Sequence, residues 1–212
     1  MNDNALNIFI SGVSEEFKGW RDYLKMHIER CGAIVHAQDI NACSTKDPEG
    51  IYSKIKNSHL IICLIGYNEG ARIERTAFQT MSDKGIMPQN RPEELTWTQW
   101  EYYCAKERVE SSARDGSAPW LMIIRRPEIG ERSTEPLQVE HVKRIDEETK
   151  KGTSLFWTPN VDSAEEVLGL IFSAASNKSD GLIEPFQAAM WRRMQELYRD
   201  SVREEWEKDF GL

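Results

Sequence analysis

The stretch His59-Leu-Ile-Ile-Cys-Leu-Ile65 decides the fold class of this chain. Its apolar residues follow one another without the alternation that would give a strand a solvent-facing side, so it predicts a strand covered on both faces. A second apolar run, Asn7-Ile-Phe-Ile-Ser11, ends at Gly12, and residues with helical spacing follow it. A strand, a tight turn and a helix in this order are typical of an α/β protein with a parallel sheet.

The rest of the chain continues this alternation. Further strands are predicted at residues 33–37, 119–124 and 153–157, and further helices at 48–57, 135–151 and 163–175. Five strands that alternate with helices predict a parallel sheet with helices on both faces. Ligands bind such sheets beyond the carboxyl ends of the strands, where the strand order reverses. The turn at residues 11–14 lies at such an end.

One connection is far longer than the others. Residues 66–94 separate the third strand from the next helix by about 29 residues, whereas most connections have about 4–6. Residues 73–81 could form a helical turn, while glycines and prolines interrupt the remainder. The sequence leaves two interpretations, a lid at the end of the sheet and a disordered segment.

Length and composition indicate one domain with a short extension. The 212 residues suffice for a single α/β domain at 1–177. Residues 178–212 carry another apolar stripe with helical spacing, which predicts a C-terminal helical extension or linker. That helix either packs on the domain, or stays exposed and mediates self-association or leads into a further domain.

Charge, hydropathy and cysteine usage exclude several classes of partner. The net charge of −8 argues against direct binding of nucleic acid or an anionic membrane. No apolar run reaches the roughly 20 residues of a membrane span, and the first residues lack the features of a signal peptide. The four cysteines are widely spaced, which favours reduced thiols in the cytoplasm over disulfides or a metal site.

The tryptophan-rich stretch at residues 95–105 contains the strongest candidate for chemistry. Trp97, Trp100 and Cys104 recur at helical spacing and form an apolar stripe. Glu101 lies beside that stripe, and a carboxylate among aromatic rings is costly to remove from water. Glu101 therefore either faces a ligand or has a structural partner that offsets this cost.

The structural alternative for Glu101 is a helix cap. Thr98-Gln-Trp-Glu101 matches the capping box, in which the acid turns back to the first residues of its own helix. Other catalytic signatures are absent from the sequence, namely the dinucleotide and phosphate loops, the zinc-protease motif and the nucleophile elbow. The residues alone leave a cap and a catalytic carboxylate as equal alternatives.

Three motifs in order resemble the TIR (Toll/interleukin-1 receptor) domain family, and the first looks most like TIR-like domains of bacterial defence proteins. They are Phe9-Ile-Ser-Gly-Val-Ser-Glu-Glu-Phe17, the helix and strand within residues 47–67, and Trp97-x-x-x-Glu101. The resemblance covers residues 7–176. It departs from the family at Gly66, where a serine is common, at Gln38, near a common acidic position, and in the long connection.

The resemblance implies a flavodoxin-like, five-stranded parallel sheet and a site that cleaves the nicotinamide–ribose bond of NAD, the substrate. Glu101 corresponds to the catalytic residue of the family. Its implied substrate-binding residues are Trp97 beside it, Ser11, Gly12, Val13 and Ser14 in the first turn, and Gln38 and Asp39 in the BB loop at 38–46. That loop gates the pocket and makes contacts between domains in the family.

This chemistry is consistent with a single carboxylate. Breaking the bond develops an oxocarbenium-like ribose, which a carboxylate stabilises by charge, hydrogen bonding or covalent attack. The function that the resemblance implies is an NAD nucleosidase, hydrolysing or cyclising, that acts in bacterial anti-phage innate immunity. Self-association, with a sensor domain or partner protein, would activate it. The alternatives are a non-catalytic TIR scaffold and an enzyme like the nucleoside deoxyribosyltransferases.

Overall fold

The computed structural model describes most of the α/β region and little of the chain after it. The described residues are 6–30, 33–37, 47–112, 120–150, 156–157, 160–173, 195 and 199–200. In the predicted extension at 178–212, only Gln195, Arg199 and Asp200 are described, and each is helical. The predicted boundary at residue 177 lies outside the described residues. No helix in the described part is long and apolar enough to cross a membrane.

A parallel sheet forms the centre of the molecule. Its strands are β1 (Asn7–Gly12), β2 (Ile34–Ala37), β3 (Leu60–Ile65) and β4 (Trp120–Arg125), in the order β2-β1-β3-β4. The two-residue strand β5 (Phe156–Trp157) pairs in parallel with β4, and residues 153–155 of the predicted strand lie outside the described part. The predicted α/β class with a parallel sheet is confirmed. The order is compatible with a flavodoxin-like fold.

The continuous apolar run of β3 is explained by its place in the middle of this sheet. All six of its residues are buried, and successive side chains enter different apolar clusters on the two faces. Leu60, Ile62 and Leu64 lie in one cluster, and Ile61, Cys63 and Ile65 lie in the other. A strand with a polar face would leave one of these two cores unfilled.

Helices cover both faces, as the alternation predicts. They are α1 (Ser14–Arg30), α2 (Pro48–Asn57), α3 (Arg75–Asp83), α4 (Trp97–Ser112), α5 (Ile129–Arg132), α6 (Pro136–Lys150) and α7 (Ala164–Ser173). α1 and α7 contribute to the cluster on one face, and α2, α4 and α6 contribute to the cluster on the other. The tryptophan-rich helix therefore packs directly against the sheet.

The long connection after β3 is a packed part of the domain. It contains α3, which begins two residues later than the predicted turn. Met81 and Ile86 of this segment, and Leu95 directly after it, are buried in the cluster that includes α4. The indole Nε1 of Trp100 also donates a hydrogen bond to the Ile86 carbonyl at 3.2 Å. The segment thus adds a layer outside α4.

Candidate functional site

Ser11 and Glu101 meet at the carboxyl end of β1. Ser11 lies on the face of β1 that looks toward α4, and its Oγ donates a hydrogen bond to Glu101 Oε2 at 2.5 Å. Both side chains are buried, with exposures of 4% and 5%. The structure therefore brings together two predicted site residues that are far apart in the sequence.

Two cysteine thiols stand near Glu101. Cys63 stands opposite Ser11 in the sheet register, and Cys104 lies one helical turn beyond Glu101. Burial raises the pKa of both thiols far above the ordinary range, so both remain neutral. The charge of Glu101 adds to this for Cys63, and the charges of Glu107 and then of Glu101 add to it for Cys104. Trp97 precedes Glu101 by one turn of α4 and packs edge-on against Trp100 with ring centroids 5.9 Å apart.

The capping box of α4 lies two residues before the one that the sequence offers. The Thr96 amide donates to Gln99 Oε1 at 3.2 Å, and the Gln99 amide donates to Thr96 Oγ1 at 3.4 Å. This reciprocal pair is the Thr-x-x-Gln form of the motif. Thr98 instead directs its hydroxyl to the Glu69 carbonyl at 3.5 Å. Glu101 consequently lies one turn into the helix, on the side of β1.

The remaining residues of the first turn have packing roles in this structure. Gly12 lies against β3, where an added Cβ would come within 3.0 Å of Leu64 Cβ. Ser14 is the first residue of α1, and its hydroxyl accepts a hydrogen bond from Arg21 Nη2 at 2.9 Å. Of the predicted turn residues, Ser11 is the one that reaches Glu101.

A segment that we call the strap, residues 66–72, passes beside this pair. Gly70 has a positive φ of 78°, and a Cβ added there would come within 3.1 Å of Val13 and 3.6 Å of Thr98. Only a residue without a side chain reconciles this conformation with such close neighbours. The strap therefore runs between the turn after β1 and the first turn of α4.

Glu16 holds the beginning of the strap from the α1 side. Its carboxylate accepts hydrogen bonds from the amides of Tyr67 at 2.9 Å and Asn68 at 3.1 Å. Arg126 Nε lies 3.8 Å from the same carboxylate. A Cβ at Gly66 would overlap the Glu16 carboxyl group. A side chain at position 66 would therefore require this carboxyl group to shift.

The segment around α5 and α6 holds the strap from the other side. Ser133 Oγ donates to the Tyr67 carbonyl at 2.7 Å, and Gln138 Nε2 donates to the Gly66 carbonyl at 2.6 Å. The Glu69 amide donates to the Glu135 carboxylate. The sequence analysis missed these side chains because no spacing rule connects them to the strap. It also missed the Thr96–Gln99 box, although the Thr-x-x-Gln spacing is a signature that could have found it.

Two predicted substrate-binding residues, Gln38 and Asp39, lie outside the described residues together with the rest of the segment at 38–46. Within the described part of the chain, no three histidine, cysteine, aspartate or glutamate side chains are grouped so that they could hold a metal ion. Comparisons with protein-family models, with curated proteins and with solved structures each found no match to this chain.

Proposed function

We propose that this chain is a TIR-like enzyme of bacterial anti-phage immunity that consumes NAD. In this proposal, it has the five-stranded flavodoxin-like architecture of that family. Glu101 is the catalytic residue, and the bond broken is the one between nicotinamide and ribose. NAD is the substrate, and the reaction requires no metal. The parallel strand order supports this proposal because ligands of such sheets bind at the carboxyl ends of the strands.

The observation that carries the proposal is the hydrogen bond from Ser11 to Glu101. It aims the carboxylate at the end of β1, where ligands of a parallel sheet bind, rather than at the N-terminus of its own helix. A carboxylate that accepts a hydrogen bond from a serine hydroxyl here can accept one from a ribose hydroxyl in the same way. Ser11 is then a positioning residue that orients Glu101 before the substrate arrives.

The chemistry follows from charge. When the bond from ribose C1′ to the nicotinamide nitrogen breaks, its electron pair neutralises the nicotinamide cation and leaves positive charge on the ribose. Glu101 stabilises that charge, or forms a bond to C1′, in surroundings where weak screening strengthens the attraction. Water then adds to C1′ and releases a proton, or the adenine base attacks C1′ and gives a cyclic product.

In this proposal, NAD needs a path to Ser11 and Glu101. Ser11 and Glu101 are both nearly inaccessible, so NAD can reach them only after neighbouring chain moves. The strap is the connection that the structure describes beside the pair. Self-association of the TIR-like domain, driven by a sensor domain or partner protein, supplies the rearrangement in this proposal. Activity should therefore rise steeply with protein concentration.

The test is NAD depletion by the full chain at high concentration or after fusion to an oligomerising module, with products separated by chromatography. Glu101→Ala should abolish depletion and leave the fold intact by circular dichroism. Glu110→Gln is the matched control, because Glu110 is an exposed acid on the same helix, and it should retain full activity.

Two outcomes would replace the proposal. If NAD persists under every oligomerising condition, the chain is a non-catalytic scaffold, a reading that the burial of Glu101 also favours. If free nucleosides are cleaved while NAD is untouched, the chain acts like the nucleoside deoxyribosyltransferases. If Glu101→Ala retains activity on NAD, the enzyme class stands and the assignment of the catalytic residue is wrong.

A further inference from the structure

A cleft of about 590 Å³ lies between α4, α6 and the segment before α4. We call it the α4–α6 cleft. Its volume falls within the roughly 300–1,000 Å³ of sites for small molecules. The lining includes Asn90 and Arg91 before α4, Tyr103 on α4, and Lys143 and Arg144 on α6. Neither Ser11 nor Glu101 lines it, so it is separate from the site proposed for NAD.

Tyr103 presents a buried hydroxyl to this cleft. The residue is only 3% exposed. Burial raises the pKa of its hydroxyl to about 12, against the charge of the Arg144 guanidinium and a hydrogen bond from it. The hydroxyl is therefore protonated at neutral pH and can donate a hydrogen bond to an acceptor in the cleft.

Two cations of the lining have capacity for an anion. Arg91 stacks over the ring of Phe78 at 4.5 Å, and its Nη1 donates to the Pro92 carbonyl at 2.9 Å, which holds the guanidinium in place. The Pro92 carbonyl takes one of the five N–H donors of the guanidinium and Nε is buried, so the other terminal N–H groups are the ones that can serve an anion. Lys143 is exposed, and no ion pair or hydrogen bond of its side chain is found in the same part of the chain.

The carboxylates of the lining are mostly committed to other groups. Glu148 accepts from the Tyr102 hydroxyl at 3.0 Å and pairs with Lys106, while Glu140 pairs with Arg144 at 3.0 Å. Glu147 is the lining carboxylate without such a pair in the described part, and it lies exposed at the rim. The groups with remaining capacity are thus two cations and one hydroxyl donor against one rim carboxylate.

We propose that the α4–α6 cleft binds a small phosphorylated ligand, with the phosphoryl oxygens accepting from Arg91, Lys143 and Tyr103. Three separate donors suit a phosphoryl group, which offers three acceptor oxygens, better than a carboxylate, which offers two. Arginine favours such oxyanions because its planar fork can donate two parallel hydrogen bonds. The remaining volume accommodates a nucleoside attached to the phosphate.

The experiment is calorimetric titration of the full chain with inorganic pyrophosphate and with ADP at low ionic strength. Both should bind. Arg91→Ala and Lys143→Ala should each weaken binding about tenfold, and Tyr103→Phe should weaken it several-fold, because each removes one donor to the phosphoryl group. Lys84→Ala is the control, since Lys84 is a cation that pairs with Glu49 away from the cleft, and it should bind as the unmodified chain does.

A gain-of-affinity variant tests the electrostatic argument. Glu147→Gln removes the unpaired rim carboxylate and should tighten pyrophosphate binding about two- to threefold. Thermal unfolding identifies any variant that fails to fold, and Lys143→Ala keeps the test decisive because its side chain lies on the surface.

Three results would overturn the proposal. The site fails if neither pyrophosphate nor ADP binds at millimolar concentration. Its location fails if the Arg91→Ala, Lys143→Ala double variant binds ADP with unchanged affinity, because ADP would then occupy another place. The ligand class fails if malonate, a dicarboxylate, binds as tightly as pyrophosphate.

Discussion

Two buried carboxylates near the same end of the sheet have different kinds of partner. Glu16 accepts hydrogen bonds from two backbone amides and lies beside the Arg126 guanidinium. Glu101 accepts a hydrogen bond from a side-chain hydroxyl and lies near two neutral thiols. Backbone amides and a cation fix a loop in place. A hydroxyl, by contrast, is the kind of group that a sugar can supply in its turn.

The contrast teaches how burial of a charge can serve structure in one place and chemistry in another. The side chain of Glu16 is 6% exposed and the residue Glu101 as a whole is 5% exposed, so both carboxylates are largely removed from water. The partners described for them differ in kind. Glu16 should therefore matter chiefly for stability, and Glu101 chiefly for activity.

The largest expected effect is the loss of activity on replacing Glu101. Glu101→Gln keeps an oxygen that can accept from Ser11 but removes the negative charge, so NAD cleavage should fall about a thousandfold. The free energy of unfolding should change by less than about 1 kcal/mol, because the hydrogen bond survives. Initial rates of NAD loss and urea denaturation measure the two quantities. A large loss of stability would place Glu101 in the same class as Glu16.

Glu16→Ala should produce the opposite result. This change removes the hydrogen-bond acceptor of the Tyr67 and Asn68 amides and the negative charge beside the Arg126 guanidinium. Removing one partner of a buried charged pair typically lowers the free energy of unfolding by about 3 kcal/mol. Urea denaturation should show this loss. Gly66→Ser should destabilise the chain for a related reason, because its Cβ overlaps the Glu16 carboxyl group.

The two changes at Glu16 and Gly66 also form a cycle. In the Glu16→Ala background, the added effect of Gly66→Ser should be smaller than in the unmodified chain, because the overlapping group is gone. If the two effects simply add, the close approach of Glu16 does not explain the glycine.

The buried imidazole of His141 tests how burial changes the pKa of a titratable side chain and, through it, the stability of the fold. Burial and Arg144 lower the pKa of His141 to about 3, and neither ring nitrogen has a hydrogen-bond partner in the described part of the chain. The unfolded chain therefore binds a proton below about pH 6.5 that the folded chain refuses, and stability falls by up to about 1.4 kcal/mol per pH unit toward pH 3.

The comparison for this prediction is His141→Phe, measured by denaturation between pH 7 and 5. Phenylalanine keeps the ring contacts with Tyr102 and Tyr103, so the variant should lose less stability over this range by about 2 kcal/mol. His36 and His59, whose pKa values burial also lowers, contribute equally to both proteins. Identical slopes for the two proteins would contradict the prediction.

The smallest expected effect concerns Ser11. Ser11→Ala removes the hydroxyl that orients Glu101 and should lower kcat about tenfold with little change in KM, the cost of one lost hydrogen bond in the transition state. Ser11→Thr retains a hydroxyl and should recover most of the rate. If alanine and threonine are equally impaired, packing at this position matters and the hydrogen bond does not.

Much of this architecture could be predicted from the residues. The continuous apolar run of β3 indicated a central strand, and Pro48 marked the start of α2, where Asp47 accepts a capping bond from the Gly50 amide. The proximity of Ser11 and Glu101 follows from the topology, because the end of β1 and the start of α4 lie at the same end of a parallel sheet.

The register of the cap on α4 could not be read in the same way, because Thr96–Gln99 and Thr98–Glu101 both fit the motif. The choice depends on a contact with the strap. Thr96 forms an isolated bridge with Arg72, and the Trp97 amide donates to the Ala71 carbonyl at 3.0 Å. These bonds hold Thr96 extended, so the helix starts after it. Such a decision depends on residues that are distant in sequence.

The central place of β3 also determines the order in which this chain can assemble. β3 pairs with β1, about fifty residues earlier, and with β4, about sixty residues later, so both pairings require long loops to close. Folding should therefore be slow compared with the formation of the helices. Until both neighbours arrive, six consecutive apolar residues remain open to pairing with other chains. The strand that is best protected in the native state is thus the main aggregation hazard during synthesis.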